Sequence, residues 1–271
     1  MFLPENIDLA YSEKYVLTLR LAADEFAYSI HCPTDASVFH YQKTSFGNAL
    51  SYAENVQKLI FDFNIFTQFF RATHVVTASP AFTLVPDAFF EKNRAAELFD
   101  FNFQEPSETV LSDAVCDGSL HVVYGVDEKV HSFLSRNLSY PQFRHYTSPL
   151  IDAWASYRAD EDVKRCFVDF NDTYVTVVCF AGDRLLSANS FPDKKRYDAL
   201  YFIASVWEKL SMNQDRDILF LSGDLAARPE SADTLRKLIL HVEPVVLTPS
   251  VSLTKQQVAS IPTDIIVRLC E

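Results

Sequence analysis

The chain has 271 residues, of which 48% are hydrophobic, 14% aromatic and 22% charged, and its formal net charge is −12. This composition is typical of a folded protein with a large core rich in phenylalanine, and it excludes a disordered chain. The acidic balance argues against nucleic acid binding, which draws on Lys and Arg contacts to phosphates.

The cysteine usage and the amino terminus indicate a cytoplasmic protein. The five cysteines are an odd number and include no CxxC pair, which disfavours zinc and a disulfide framework. The start, MFLPENIDLA, lacks the features of a signal peptide, and no apolar run of about 18 residues is present to span a membrane. We therefore expect reduced thiols, a cytoplasmic location and no transmembrane segment.

The first part of the chain is predicted to form three strands, a helix and a fourth strand. Ser51 and Glu54 have the spacing of a capping box, so the helix should begin at Ser51. The predicted segments are the strands 15–22, 26–32 and 37–44, the helix after Ser51 and the strand 73–79.

The middle of the chain is predicted to hold additional α/β structure. Pro86 stands where a strand is expected to run into a helix, a position that proline tolerates. The predicted segments are a strand entering a helix at 82–90, strands 119–126 and 143–149 around a helix at 128–138, and a linking helix at 149–158.

The last part of the chain repeats the order of the first part. Asp193 is a candidate cap for its helix. The predicted segments are the strands 165–170, 173–180 and 184–191, a helix after Asp193, the strand 217–223, a helix at 231–240 and the strand 244–248. Both parts read strand, strand, strand, helix, strand, and their first hairpins align without a gap when Asp24 is placed on Asp172. This order predicts an internal duplication and two mixed five-stranded sheets.

A duplicated βββαβ unit of the ribonuclease H-like type, opening on a hairpin, resembles the actin-like ATPase superfamily. The segments FTLVPDAFF (82–90) and SGDLAARPE (222–230) more narrowly resemble an uncharacterised bacterial family with that fold. The resemblance implies an α/β protein of two subdomains flanking a cleft. Residues 1–158 would form the first subdomain, including the inserted segment, and residues 159–271 would form the second.

The resemblance also places candidate nucleotide-binding residues in the second subdomain. In such ATPases each half contributes a phosphate-binding hairpin of the pattern Asp-x-Gly-x-Gly/Thr. Asp169, Asn171, Asp172 and Thr173 match the second hairpin in part, because Asn can adopt the positive φ of the glycine it replaces. The adenosine-binding Gly-Gly turn would be formed by the residues Ser222, Gly223 and Asp224.

The first phosphate hairpin departs from the family pattern. The alignment puts Leu21 opposite Asp169, so the acid that would organise Mg²⁺-bound water is missing. Asp224 also replaces the second glycine of the adenosine turn. We therefore expect vestigial phosphate-binding residues, no catalytic residue, no metal site and no bound cofactor.

The favoured function is a non-catalytic cytosolic scaffold or interaction protein, a pseudo-ATPase with an unknown protein partner. The alternative is an actin-like ATPase or kinase that binds ATP and Mg²⁺ through divergent phosphate loops. A further alternative is a two-metal nuclease of the ribonuclease H type, in which Asp169, Glu208 and Asp224 would cluster.

Overall fold

The computed structural model describes residues 3–103, 109–158, 160 and 162–270 of the chain. Contacts between residues divide the chain into two compact units. The first unit comprises Met1–Ser148 and Pro249–Leu253, and the second comprises Pro149–Thr248 and Thr254–Cys270. Among the helices in the described part of the chain, none is long and apolar enough to cross a membrane.

The first unit is built on a mixed five-stranded sheet. Its strands are β1 (Val16–Ala22), β2 (Glu25–Cys32), β3 (Asp35–Ser45), β4 (Ala72–Ala78) and β8 (Pro141–His145). The sheet order is β3-β2-β1-β4-β8, in which β1, β4 and β8 run parallel and the other two pairings are antiparallel. The helices α1 (Tyr52–Asp62) and α3 (Glu128–Asn137) cover one face through residues such as Val56, Ile60 and Val130.

The helix α1 begins where the sequence predicts. Ser51 accepts a hydrogen bond from the Glu54 amide, and the Glu54 carboxylate accepts one from the Ser51 amide. The two contacts satisfy amides that the first helical turn leaves unpaired. The predicted capping box is therefore confirmed.

An inserted module, residues 82–126, lies between β4 and α3. It consists of β5 (Phe82–Pro86), α2 (Ala95–Asn102), β6 (Thr109–Val115) and β7 (Leu120–Val126). Its three strands form an antiparallel sheet of order β5-β7-β6, and Phe99 of α2 packs against one face of that sheet. The sequence predicts β5 and β7, but β6 was missed because its sequence, TVLSDAV, has no clear alternation of polar and apolar residues.

A buried carboxylate joins the inserted module to the main sheet of the first unit. Asp113 of β6 accepts hydrogen bonds from the His145 amide at 2.7 Å, the Ser148 hydroxyl at 2.6 Å and the Tyr124 hydroxyl at 3.3 Å. Burial raises the pKa of Asp113 above its ordinary value, and the three hydrogen bonds oppose that rise. The three donors replace the water that Asp113 loses on folding.

The histidine beside this carboxylate is fully buried and neutral. His145 Nε2 lies 2.9 Å from the carbonyl oxygen of Ser79, and its Nδ1 lies 2.7 Å from the Thr147 hydroxyl. A carbonyl can only accept, so Nε2 carries the proton and Nδ1 accepts from Thr147. Burial lowers the pKa of His145 to about 3, because a charged imidazolium would have no water around it.

The second unit is built on a sheet of the same order and the same strand directions. Its strands are β9 (Lys164–Phe170), β10 (Tyr174–Ala181), β11 (Arg184–Pro192), β12 (Ile218–Gly223) and β13 (His241–Pro244). The sheet order is β11-β10-β9-β12-β13, with β9, β12 and β13 parallel. The helices α5 (Asp198–Lys209) and α6 (Pro229–Leu238) cover one face through residues such as Ile203, Trp207 and Leu235. The predicted pair of mixed five-stranded sheets is confirmed.

Several predicted boundaries are wrong. The strand predicted at 244–248 is found earlier, as β13 at His241–Pro244, and Val245 adds one further backbone bond to the Leu221 carbonyl at 2.9 Å. The strand predicted at 143–149 ends at His145, and α4 (Thr147–Ala155) begins two residues later. Two short helices near the carboxyl terminus, α7 (Lys255–Ser260) and α8 (Thr263–Arg268), were not predicted.

The predicted cap of α5 is also wrong. Asp193 does not begin the helix, which starts at Asp198. Instead Asp198 accepts hydrogen bonds from the amides of Lys194 and Lys195, and so it orders the turn before its own helix. The carboxylate of Asp193 is used elsewhere, in an ion pair with Arg228.

Candidate functional site

The predicted site residues of the second unit lie together at the carboxyl ends of β9 and β12. Asp169 of β9 is the direct neighbour of Thr176 on β10 and of Ser222 on β12. Side chains alternate between the faces of a strand, and Val168 and Phe170 point toward α5 and α6. Asp169 therefore lies on the other face of the sheet.

Asp169 is buried, and both of its carboxylate oxygens are engaged within the second unit. Its side chain is 2% exposed. The Ser222 hydroxyl donates to Oδ1 at 2.8 Å, and the Asn171 side-chain amide donates to Oδ2 at 3.0 Å. Asp169 thus ties the turn after β9 to the neighbouring strand β12.

The backbone of the hairpin is also tied to its own unit. The Asn171 amide donates to the carbonyl of Tyr174 at 2.9 Å, so this N–H is used inside the turn. The Thr173 carbonyl accepts from the Asp193 amide at 2.9 Å. The Asp172 carbonyl accepts from the Arg228 guanidinium at 2.7 Å. A phosphate loop presents N–H groups to its ligand, whereas these contacts engage one amide and two carbonyls of the turn within the chain.

Arg228 is the residue of this site that the sequence did not reveal. Its guanidinium pairs with the carboxylate of Asp193 and lies 5.8 Å from the centre of the Phe170 ring. The Arg228 and Asp193 side chains are 15% and 8% exposed, so water screens this ion pair little. The only signal in the sequence is Pro229, which marks the first turn of α6.

Gly223 is required by close approach of the chain to itself. Its φ is +80°, and a Cβ atom there would lie 2.2 Å from the Phe170 carbonyl oxygen. The next amide, that of Asp224, donates to the same Phe170 oxygen at 2.9 Å. The Asp224 carboxylate accepts from the Ala227 amide at 3.1 Å and so closes the turn before α6.

The alignment of the two hairpins at Asp24 and Asp172 is wrong by one residue. In the first unit the last pair before the turn is Leu21 with Phe26, and in the second unit it is Phe170 with Val175. Leu21 points into the core with the helices, as Phe170 does, whereas Asp169 points to the opposite face. Leu21 therefore corresponds to Phe170.

An independent contact confirms the corrected alignment. The carbonyl of Asp24 accepts from the Phe46 amide at 2.8 Å, just as the carbonyl of Thr173 accepts from the Asp193 amide. With Asp24 on Thr173, the residue that corresponds to Asp169 is Arg20. Arg20 is buried, at 6% exposure. A cation, and not an aliphatic side chain, therefore stands at the position that corresponds to Asp169.

The nuclease hypothesis is wrong. Glu208 is exposed on α5, which covers the face of the sheet opposite to Asp169, so the three predicted carboxylates cannot surround one pair of metal ions. Among residues 3–103, 109–158, 160 and 162–270 there is no group of three or more His, Cys, Asp or Glu side chains that could hold a metal ion.

Comparison with known proteins gives a family and a fold. The family model described as "Protein of unknown function (DUF3822)" matches residues 4–242. A crystal structure from Bacteroides thetaiotaomicron VPI-5482, described as a protein with actin-like ATPase fold and unknown function, is 26% identical with a TM-score of 0.80. That match covers 94% of this chain and 99% of the other. No curated protein sequence matches significantly.

A second solved structure shares the fold at lower identity. It is the PilM-PilN type IV pilus biogenesis complex, at 15% identity and a TM-score of 0.53, covering 94% of this chain and 96% of the other. The predicted actin-like ATPase fold is confirmed by the Bacteroides structure.

Proposed function

The chain belongs to the DUF3822 family, and from this premise we propose that it is a non-catalytic actin-fold protein that acts by binding a protein partner. The observation that carries the proposal is the engagement of the second hairpin within its own unit. Asp169 is buried against Ser222 and Asn171, and Arg228 binds the carbonyl of Asp172. The Asp169 carboxylate and the Asn171 amide are thereby used inside the unit, and neither is free for a phosphate–metal ligand without breaking these hydrogen bonds.

The first hairpin supports the same proposal. Arg20 occupies the position at which an actin-like ATPase carries the acid that organises Mg²⁺-bound water. A guanidinium repels Mg²⁺ and has no lone pair to accept a hydrogen bond from metal-bound water. The two units share one strand order, which fits the descent of both hairpins from a duplicated ancestral unit. The chain is then a pseudo-ATPase.

Association with a protein partner is a use of the actin-like fold that needs no phosphate-binding hairpin. PilM, which shares the fold, has been solved in a complex with PilN. We extend only the mode of action to this chain, namely association of an actin-like fold with another protein. The acidic net charge of −12 disfavours nucleic acid as the partner. We propose a bacterial, cytoplasmic scaffold or interaction protein.

The alternative function is binding of a nucleotide or another phosphorylated ligand. Two observations favour it: Asp169 stands at the metal-organising position of the second hairpin, and Gly223 has the positive φ of a nucleotide-binding turn. For this alternative, the ligand would have to take the Asn171 amide from the Tyr174 carbonyl, to which it donates at 2.9 Å. The scaffold proposal leaves this hydrogen bond in place.

Affinity capture of the protein from its native cells tests the proposed role. We expect the same partner to be recovered with and without Mg-ATP, and also with the variant Asp169→Asn, because binding does not involve the hairpin. The proposal fails if no partner is recovered reproducibly. It fails equally if recovery needs Mg-ATP or disappears with Asp169→Asn, since either result would make the hairpin functional.

A further inference from the structure

The inserted module is an addition to a unit that is complete without it. In the second unit, β12 is followed by a short turn and then by α6, with nothing between them. In the first unit, residues 82–126 separate β4 from α3 and have their own small core of Val85, Phe99 and Val123. The five-stranded sheet forms in both cases, so the module has another role than closing the sheet.

The module concentrates the negative charge of the chain. Residues 82–126 contain eight acidic and two basic residues, a net charge of −6, whereas the whole chain has −12. One of the two bases, Arg94, is already paired with Glu97 at 3.1 Å. In the part of the module that the structure describes, five acids and two bases are exposed: Asp87, Glu91, Glu97, Asp100 and Asp117, and Lys92 and Arg94. A surface with this excess of acids attracts basic partners over distances of about 10 Å and repels the anionic surface of a membrane.

The same module exposes two phenylalanine rings. Phe101 of α2 is 90% exposed and Phe89, after β5, is 77% exposed, whereas Phe99 of α2 is 3% exposed in the core of the module. A ring that is left in water contributes nothing to the stability of its own chain, because the hydrophobic effect acts only on buried surface. Exposed aromatic rings of this kind are typical of binding surfaces.

The two exposed rings belong to segments on one side of the module. Phe90 stacks on His121 of β7 with ring centroids 3.8 Å apart. The side chains of His121 and Val123 lie on the same face of β7, and Val123 packs against α2. The segment carrying Phe89 and the helix carrying Phe101 therefore lie on the same side of the three-stranded sheet, which we call the outer face of the module.

We infer that the outer face of the inserted module is a docking surface for a basic segment of a protein partner, in which Lys and Arg residues flank apolar side chains. The apolar side chains cover Phe89 and Phe101, and the bases pair with acids such as Glu97 and Asp100. A second copy of this acidic chain is a poor occupant, because its one basic run, 194–196, already pairs through Arg196 with Glu230. This inference rests on the proposed role as an interaction protein and names its surface and partner class.

Photo-cross-linking from defined positions tests the docking surface. The photoreactive residue p-benzoylphenylalanine would replace Phe89 or Phe101 in the native cells, with Tyr201 of α5, which is 68% exposed, as the control position. We expect Phe89 and Phe101, but not Tyr201, to cross-link to a basic segment of one partner protein. The purified partner is then titrated with the full chain.

The titration compares matched variants. We expect Phe89→Ser with Phe101→Ser, and separately Glu97→Lys with Asp100→Lys, to weaken binding about tenfold or more. Tyr201→Ser should leave the affinity unchanged, and added salt should weaken the binding of the wild type. All of these side chains are exposed, and thermal unfolding of each variant checks that it is folded.

Five outcomes would overturn the docking surface. Cross-links from Phe89 and Phe101 could be absent, or could lead to lipid or to a second copy of the chain. The identified partner could also carry no basic segment at the cross-link, or bind the Phe89→Ser, Phe101→Ser variant as tightly as the wild type. If the partner instead cross-links from Tyr201, the interaction role stands and only the assignment of the surface fails.

Discussion

Gly223→Ala is expected to destabilise the protein by about 2–5 kcal/mol, the sum of a left-handed backbone cost and a steric cost. The new Cβ atom would lie 2.2 Å from the Phe170 carbonyl oxygen and 2.6 Å from the Phe170 nitrogen. Both contacts are to backbone, so relief requires that the turns after β9 and β12 move apart. The free energy of unfolding in urea would measure the loss.

A second glycine separates the two contributions. Gly118 has a φ of +81°, against +80° for Gly223, and a Cβ atom there would have nothing within 4 Å. Gly118→Ala should therefore cost only the backbone contribution, about 1–2 kcal/mol. If the two variants lose equal stability, the close approach of Gly223 to Phe170 does not constrain the site.

The second large effect is a loss of stability in acid that originates at His145. The pKa of His145 is lowered to about 3 in the folded protein, from an ordinary value of 6.5, so below pH 6.5 the unfolded chain binds a proton that the folded chain does not. Stability therefore falls as the pH falls through this window. Between pH 7 and pH 4.5 the loss from this one residue should be about 3 kcal/mol.

The matched variant for this prediction is His145→Gln, which cannot titrate. Urea unfolding of wild type and variant at pH 7 and pH 4.5 would show the stability difference between them shrink by about 3 kcal/mol on acidification. Asp113 changes the stability in the opposite direction. Its pKa is raised in the folded protein, so its contribution to the free energy of unfolding falls as the pH rises. Both proteins retain Asp113, so its effect cancels. An unchanged difference would mean that His145 is accessible to protons in the folded state.

The order of strands and helices along the chain was predictable because residues close together in sequence determine it. The turns at Asp24 and at Gly182 separate apolar segments of strand length, and the capping box at Ser51 fixes the start of a helix. These signals repeat in both halves of the chain, and hence the order of strands and helices could be found from residues that are near each other in sequence.

The facing of the first strand was predictable from its alternation, but the alignment of the two hairpins did not use it. In YVLTLRLA the polar residues Thr18 and Arg20 share one face, and Leu17, Leu19 and Leu21 share the other, which packs in the core. An alignment that is shifted by one residue exchanges the two faces of a strand. Leu21 was for this reason placed opposite Asp169, and the buried Arg20 was overlooked.

The closure of the hairpin depends on contacts between distant residues. Arg228 lies 35 residues from Asp193 and 56 from Asp172 in sequence, and no local pattern links the three. Ser222 lies 53 residues from Asp169, so its hydrogen bond became visible only when β12 was placed beside β9. The sequence showed that the phosphate motif had changed, and the structure shows which groups now hold the hairpin.

The central claim is that the hairpin after β9 is engaged within its own unit and binds no nucleotide. Its most direct test is thermal unfolding of the wild type and of Asp169→Ala, each with and without Mg-ATP. The variant alone should lose about 2 kcal/mol, because Asn171 and Ser222 lose their acceptor. A ligand present at a hundred times its dissociation constant would stabilise the folded state by about 2.7 kcal/mol, which corresponds to a rise of about 5 °C or more in the unfolding temperature. We predict that Mg-ATP leaves the unfolding temperature of both proteins unchanged within about 1 °C. A rise of several degrees in the wild type that is absent from Asp169→Ala would contradict the account and show a working phosphate loop.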